Sequence, residues 1–143
     1  MALRRALLVE DDFVSRKLFA GMLRGRFVCD VAGDGLEALE AYNLSVKNGL
    51  PYDIIIMDIG MPRVSGSEAL MLIREAEARE GIKSGQGVPV LIITAHKSAF
   101  GESFRAGCDA YLTKPVSAES LLAKTMEVIL DREGTNEQKH PDS

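Results

Sequence analysis

The feature that most constrains the fold is an alternation of short apolar runs with longer amphipathic segments. Three of the runs, at residues 7–9, 54–57 and 90–93, are continuously apolar. Runs of this kind are typical of strands that are buried on both faces, as in a parallel sheet. Together with two weaker runs they predict five strands, at residues 6–9, 27–31, 54–57, 88–94 and 109–112.

The segments between the runs place apolar residues three and four positions apart, which predicts five amphipathic helices. Strands that alternate with helices in this way indicate an α/β fold with crossover connections. Ser117 is expected to cap the last helix. The predicted buried stripes are Val14, Leu18, Phe19, Met22 and Leu23; Leu36, Leu39, Tyr42 and Val46; Ala69, Leu72, Ile73 and Ala76; Phe100 and Phe104; and Leu121, Leu122, Thr125, Val128 and Ile129.

The length of 143 residues fits one domain with its own core, which we place at residues 5–131. Residues 132–143 lose the apolar periodicity and are predicted to form a polar C-terminal tail, part of which can extend the last helix. Residues 81–87 form a connection that is longer than a loop between a helix and a strand usually requires.

The formal net charge of −4 argues against binding nucleic acid or an anionic membrane through a broad basic surface. No apolar run reaches the length of a signal-peptide core, or the roughly 20 residues of a membrane span. Cys29 and Cys108 stand in apolar stretches without metal-type spacing, so we expect buried free thiols. These features favour a cytoplasmic protein with no direct contact to nucleic acid or membrane.

Polar residues stand where the predicted strands end. Glu10 and Asp11 follow the first strand, Asp58 follows the third, Thr94 ends the fourth, and Lys114 follows the fifth. In open α/β sheets, ligands bind outside the carboxyl ends of the strands, where the strand order reverses. The sequence therefore predicts one pocket that is lined by these polar groups.

Three carboxylates in one pocket repel each other unless a proton or a cation neutralises them. Oxygen ligands without a nearby histidine or cysteine select a hard ion, of which Mg²⁺ is the usual one. A metal ion and a lysine beside a carboxylate suit phosphoryl transfer, because both neutralise charge on the transferred group. Carboxylates act as nucleophiles in aspartyl-phosphate chemistry.

Four motifs occur in combination along the chain: Val9-Glu10-Asp11-Asp12 with Arg16, Ile56-Met57-Asp58-Ile59-Gly60-Met61-Pro62 with Gly66, Ile93-Thr94-Ala95, and Ala106-Gly107-Cys108-Asp109-Ala110-Tyr111-Leu112-Thr113-Lys114-Pro115. Together they resemble the receiver-domain family of two-component signalling, over residues from about 5 to 130. The resemblance implies a flavodoxin-like, three-layer, doubly wound fold with strand order 2-1-3-4-5.

The resemblance also implies a role for each acidic residue. Asp58 is the expected phosphoacceptor. Asp11 is expected to bind Mg²⁺ directly and Glu10 mostly through water. The backbone carbonyl of Gly60 is a further expected ligand. Asp12 could be another, but its place before the first helix favours a helix cap.

The remaining motif residues are implied to form a switch. Thr94 is expected to donate its hydroxyl to the phosphoryl group, and Lys114 to pair with that group. Tyr111 is the aromatic residue expected to move inward. The bond between Lys114 and Pro115 is predicted to be cis. The expected output face comprises residues 97–105, Tyr111 and residues 117–124.

The family resemblance implies a sensor histidine kinase or a histidine phosphotransfer protein as phosphoryl donor. The downstream target is an unidentified protein, and a phosphorylation-dependent homodimer is compatible with the pattern. Such a chain is not an enzyme in the usual sense, because it catalyses only its own phosphorylation and dephosphorylation. Gly60 and His96 occupy positions at which the family tunes the rate of dephosphorylation.

Three other classes of protein compete with the interpretation as a phosphorylated receiver domain. An aspartate-based phosphohydrolase acting on an external substrate normally has a second acid two residues beyond its nucleophile, where this chain has Gly60. A flavin-binding module needs a phosphate-binding loop after the first strand, where this chain has acidic residues. A receiver that binds partners without being phosphorylated would not require the full set of polar residues.

Overall fold

The computed structural model describes residues 3–58, 66–95 and 107–138, with side chains described as far as Gly134. Five parallel strands form one sheet in the order β2-β1-β3-β4-β5, so the predicted fold and strand order are confirmed. The elements are β1 (Arg4–Val9), α1 (Phe13–Leu23), β2 (Phe27–Ala32), α2 (Gly35–Lys47), β3 (Ile54–Asp58), α3 (Gly66–Arg79), β4 (Val90–Thr94), β5 (Ala110–Thr113) and α4 (Ala118–Gln138).

Alternate residues of the central strands enter two separate cores, one on each face of the sheet. Leu7, Ile55 and Ile92 belong to the core beneath α2 and α3. Their neighbours Leu8 and Ile56 belong to the core beneath α1 and α4. Both faces of the sheet are therefore covered, which explains why these strands are continuously apolar in sequence.

The predicted apolar stripe of α1 is only partly correct. Phe19 and Leu23 are buried, but Val14 is 70% exposed and Leu18 is 55% exposed. The part of α1 that meets the sheet is narrower than the apolar stripe in the sequence. The same holds for Leu36 in α2 and for other stripe residues, Val46 and Leu72, all of which are exposed.

Polar side chains begin three of the helices. Asp12 accepts a hydrogen bond from the Ser15 amide at 2.8 Å and so caps α1. Asp34 caps α2 in the same way. Ser117 accepts a bond from the Ser120 amide at 3.0 Å just before α4, as predicted. Capping fixes where each helix starts, because the first amides of a helix have no partner within it.

The C-terminal helix continues to Gln138, which places much of the predicted polar tail in helical conformation. The Lys114–Pro115 peptide bond is cis, as predicted. Cys29 and Cys108 are free thiols, as predicted, but of the two only Cys108 is buried, whereas Cys29 on the edge strand β2 is half-buried. Among the described helices, none combines the length and apolar character needed to cross a bilayer.

Four helices lie within the described ranges. The predicted helix that contains Phe100 and Phe104 lies outside those ranges, as do Gly60 and His96.

Candidate acidic site at the carboxyl edge of the sheet

The candidate site lies where the strand order reverses. In the sheet, β2 lies on one side of β1 and β3 lies on the other side, so the chain changes direction across the sheet after β2. Glu10 follows β1 directly and Asp58 is the last residue of β3. Because β1 and β3 are neighbours and parallel, with Val9 opposite Met57, both acids emerge at the same edge of the sheet.

Glu10, Asp11 and Asp58, which we call the acidic site, each offer a carboxylate oxygen within 4.8 Å of the others. Their environments differ. Glu10 is 1% exposed, the Asp58 side chain is 17% exposed, and Asp11 is exposed. The site is thus buried on one side and open to solvent on the other, so that a small ion or a phosphoryl group can reach it.

Lys114 supplies a positive charge to the acidic site. Its ammonium donates a hydrogen bond to Asp58 Oδ2 at 3.0 Å and lies 3.5 Å from Glu10 Oε1. Its backbone amide donates to the carbonyl of Thr94 at 2.8 Å, which holds the end of β5 beside the end of β4. The structure therefore brings Glu10, Asp11, Asp58 and Lys114 together, with Thr94 adjacent to Lys114.

Burial and, to a smaller extent, the negative charge of Asp58 raise the pKa of Glu10 to about 7, against the opposing effect of the Lys114 ammonium. Burial also acts to lower the pKa of Lys114, but the hydrogen bond to Asp58 and the charges of Asp58 and Glu10 raise it overall. Desolvation and the charge of Asp58 thus favour the neutral form of Glu10, whereas the carboxylates of Asp58 and Glu10 favour the charged form of Lys114.

Excess negative charge on a set of oxygen donors fits a hard divalent cation. Glu10, Asp11 and Asp58 are the described residues that could hold such an ion. Asp12 adjoins the cluster but already serves as the cap of α1. Hydrogen bonds from the Ser15 amide and hydroxyl lower the pKa of Asp12, which is consistent with the predicted structural role.

Two further sequence-predicted residues lie near the site on β4 and β5. Thr94 is 2% exposed at the end of β4. Tyr111 of β5 lies opposite Ile92 of β4 and packs against the core beneath α2 and α3. Residues two apart on a strand point to the same face, so Thr94, Ile92 and Tyr111 share one face of the sheet.

Arg16 was part of the sequence motif, but no role was predicted for it. Its guanidinium donates a hydrogen bond to the carbonyl of Asp11 at 3.2 Å, and the Asp12 amide donates to Glu10 Oε2 at 3.4 Å. These bonds tie the acidic loop to the start of α1. The signal in the sequence that could have predicted this role is a positively charged residue one turn into α1, close after the acidic residues.

The fold and the site together define a flavodoxin-like α/β domain with an acidic centre at its switch point. The chain belongs to the response regulator receiver domain family, whose model matches residues 6–126.

Similar proteins include hybrid sensor kinases and response regulators. The chain is 40% identical over 124 residues to the hybrid signal transduction histidine kinase I of Dictyostelium discoideum, matching 82% of this chain and 7% of that protein. It is 33% identical to the response regulator MprA of Mycobacterium sp. (strain KMS), matching 97% of this chain and 55% of that protein. The chain thus spans only part of each relative.

Two solved structures are similar over nearly 90% of the chain. One is the Saccharomyces cerevisiae receiver domain of Ssk1 in complex with the histidine phosphotransfer protein Ypd1 (28% identity, TM-score 0.74, 88% of each chain). The other is the receiver domain of the sensor histidine kinase PA1611 of Pseudomonas aeruginosa PAO1, with a magnesium ion in its active-site cleft (27% identity, TM-score 0.75, 90% of this chain and 98% of that one).

Proposed function

We propose that the chain is a phosphorylation switch in which Asp58 accepts a phosphoryl group in a Mg²⁺-dependent reaction. The observation that carries the proposal is the 3.0 Å contact between the Lys114 ammonium and Asp58 Oδ2. A cation at this distance supports a role for Lys114 in neutralising charge on a group that arrives at Asp58. The chain itself then catalyses the gain and the loss of its phosphoryl group.

In the proposed reaction, an Asp58 carboxylate oxygen attacks the phosphorus of phosphohistidine. The P–O bond forms as the P–N bond breaks, and the released imidazole takes up a proton from solvent. Asp58 is only partly buried, so the attacking oxygen is accessible to a donor. Thr94, at the neighbouring strand end, is the residue we expect to donate its hydroxyl to the phosphoryl group.

Glu10, Asp11 and Asp58 are the described residues that would hold Mg²⁺, and the carbonyl of Gly60 is a further expected ligand. When bound, the ion would neutralise charge on the phosphoryl oxygens. The set fits the ion because its donors are all oxygens and carry more negative charge than Lys114 can balance.

The proposal is tested by incubating the protein with acetyl phosphate and Mg²⁺ and measuring its intact mass. We expect the mass of one phosphoryl group to be gained, and Asp58→Asn to abolish that gain. Omitting Mg²⁺ should also abolish it. The control is Asp53→Asn, since Asp53 is a carboxylate at the opposite end of β3 that accepts a bond from the Arg5 amide. Full labelling of Asp58→Asn would show that another residue is the acceptor.

We further propose that the donor is a histidine kinase or a histidine phosphotransfer protein that docks on α1. Phe13, Val14 and Leu18 leave apolar surface exposed on this helix, at 64%, 70% and 55%. The helix starts two residues after Asp11, so this surface borders the acidic site. A donor must place its phosphohistidine beside Asp58, and an exposed apolar surface next to the site suits such a contact.

A further inference from the structure

A second cluster of charged side chains lies at the amino-terminal edge of the sheet, at the opposite ends of the strands from Asp58. It consists of Arg74 and Glu77 of α3, Asp109 just before β5, and Arg132 of α4, and we call it the amino-edge cluster. Glu77 is 3% exposed and Arg132 is 9% exposed. Buried charges are tolerated where they are paired, and here two cations face two anions.

Asp109 is the central residue of the amino-edge cluster. Its Oδ2 accepts hydrogen bonds from the Val90 amide at 2.8 Å and from Arg74 Nη2 at 3.2 Å, and its Oδ1 accepts one from Arg132. Its own amide donates to the Val90 carbonyl at 2.9 Å. Both the backbone and the side chain of Asp109 thus bind the first residue of β4.

The two arginines connect this point to three other parts of the fold. Arg74 donates to the carbonyl of Gly107 at 3.0 and 3.1 Å and to the carbonyl of Val88 at 2.9 Å. Arg74 also pairs with Glu77 at 2.8 Å. Arg132 brings α4 to the same place. The start of β5 is therefore fixed to α3, to α4 and to the loop before β4.

The start of β5 matters because β5 is short. It has four residues, all of them half-buried, and among the described strands it pairs with β4 alone. Asp109 immediately precedes β5 and Lys114 immediately follows it, about 16 Å further along at strand spacing. A slip of one residue would displace Lys114 by about 3.3 Å and turn side chains to the other face of the sheet.

The C-terminal helix, α4, runs from the end of β5 back to its start. The chain leaves β5 at the carboxyl edge and enters α4 at Ala118. From there to Arg132 the helix is about 21 Å long at 1.5 Å per residue, which returns the chain to the amino edge, where Arg132 meets Asp109. The strand is thus held at both ends: by Asp109 at its start, and by the bond from the Lys114 amide to Thr94 at its end.

We propose that Arg74, Asp109 and Arg132 are positioning residues, which fix the register of β5 and thereby hold the Lys114 ammonium against Asp58. None of the hydrogen bonds described for the amino-edge cluster reaches the acidic site, so its effect on chemistry is transmitted through Lys114. The kinetic consequence rests on the proposed function, whereas the position of the Lys114 ammonium does not.

The first test measures Lys114 itself, without Mg²⁺ or phosphate, by NMR of the isotope-labelled lysine side chains. Arg132→Met should move the Lys114 side-chain resonances toward those of a solvent-exposed lysine. The matched control is Lys124→Met, which removes a cation from the same helix but leaves the amino-edge cluster intact, since Lys124 pairs with Glu127. Lys114 resonances that stay at their wild-type positions in Arg132→Met would overturn the proposal.

The second test is a double-mutant cycle on the rate of phosphorylation by acetyl phosphate. We expect Arg132→Met to slow the reaction about tenfold, within the range that a displaced catalytic geometry produces. In a Lys114→Ala background, Arg132→Met should cause no further loss. A merely structural role predicts either no loss or an equal loss in both backgrounds, and either result would refute positioning through Lys114.

A second variant covers the case in which Arg132→Met does not fold. Asp109→Asn retains an oxygen that can accept the Val90 amide while it removes the charge shared by both arginines, and it is expected to give the same resonance shift and the same non-additive cycle. If the wild-type protein gains no phosphoryl mass, the proposed function fails. The NMR comparison then still decides whether the amino-edge cluster positions Lys114.

Discussion

Glu10 and Asp11 are consecutive residues in opposite environments, and this difference assigns them different chemistry. Glu10 is buried, and its two oxygens already lie near the Lys114 ammonium and the Asp12 amide. Asp11 is exposed at the mouth of the acidic site. An exposed carboxylate loses less solvation free energy when it binds a cation directly than a buried one with partners to give up. This contrast supports the proposed direct role of Asp11 and the water-mediated role of Glu10.

Burial also controls the reactivity of Cys108. Burial and, to a smaller extent, the negative charge of Asp109 raise the pKa of its thiol from an ordinary 9.0 to about 11. Only the thiolate reacts with alkylating agents. At pH 8 we therefore expect iodoacetamide to modify native Cys108 about a hundredfold more slowly than the same thiol in denaturant. Peptide mass spectrometry in a Cys29→Ser background measures the two rates.

The same shift gives a sign for the pH dependence of folding. The folded protein holds the Cys108 proton up to a higher pH than the unfolded chain does. The free energy of unfolding should therefore fall as the pH rises from about 9 to 11. Cys108→Ala should reduce this fall. Equal alkylation rates in native and denatured protein would contradict the burial of Cys108.

At the scale of elements, the strands could be predicted from sequence, but the buried surfaces of the helices only in part. A run such as residues 54–57 is apolar throughout because helices cover both faces of the sheet, so the burial of the strand can be seen directly in its sequence. The burial of one helix face is less clear in the sequence. The stripe of α1 contains Val14 and Leu18, which are exposed, beside Phe19 and Leu23, which are buried, and periodicity alone does not separate residues that are buried in the core from residues that stay exposed.

The exposed part of that stripe yields a prediction about the donor. Replacing Val14 and Leu18 together by serine should slow phosphoryl transfer from a phosphorylated histidine phosphotransfer protein about tenfold or more, because apolar contact area is lost. Transfer from acetyl phosphate should be unchanged, since this small donor needs no docking surface. The two rates are compared by intact mass or by radiolabel transfer.

The control for this experiment replaces an exposed leucine by serine on a different helix. Leu44 of α2 is also exposed, at 57%, and Leu44→Ser should affect neither reaction. A double variant that loses both reactions equally would point to damage within the acidic site. A double variant that loses neither would show that the donor docks elsewhere.

At the scale of the whole molecule, the two edges of the sheet differ in what the sequence reveals. The acidic site could be predicted because its residues all follow strand ends, which parallel topology gathers at one edge. The amino-edge cluster could not. Arg74 and Asp109 are 35 positions apart and Asp109 and Arg132 are 23 apart, and none of them stands in a pattern that separates a charge held in an ion pair from an ordinary surface charge.

Two residues on β4 and β5 suggest how a signal leaves the acidic site. Thr94 is at the end of β4, and Tyr111 lies diagonally across from it on β5, on the same face of the sheet. A Thr94 hydroxyl drawn toward a phosphoryl group would leave space that the Tyr111 ring can enter. Phosphorylation would then select one of two existing arrangements.

We expect this change to reach the face formed by residues 97–105, Tyr111 and residues 117–124. Hydrogen–deuterium exchange with Mg²⁺ and beryllofluoride, compared with Mg²⁺ alone, should show altered protection in these segments if they respond to the proposed movement of Thr94 and Tyr111. Protection of β1 and β3 should stay constant, since both strands are central and buried. Tyr111→Ala should remove the response in residues 117–124 while the mimic still binds. Unchanged protection of the whole face in wild-type protein, with the mimic bound, would mean that the signal leaves by another route, such as α1.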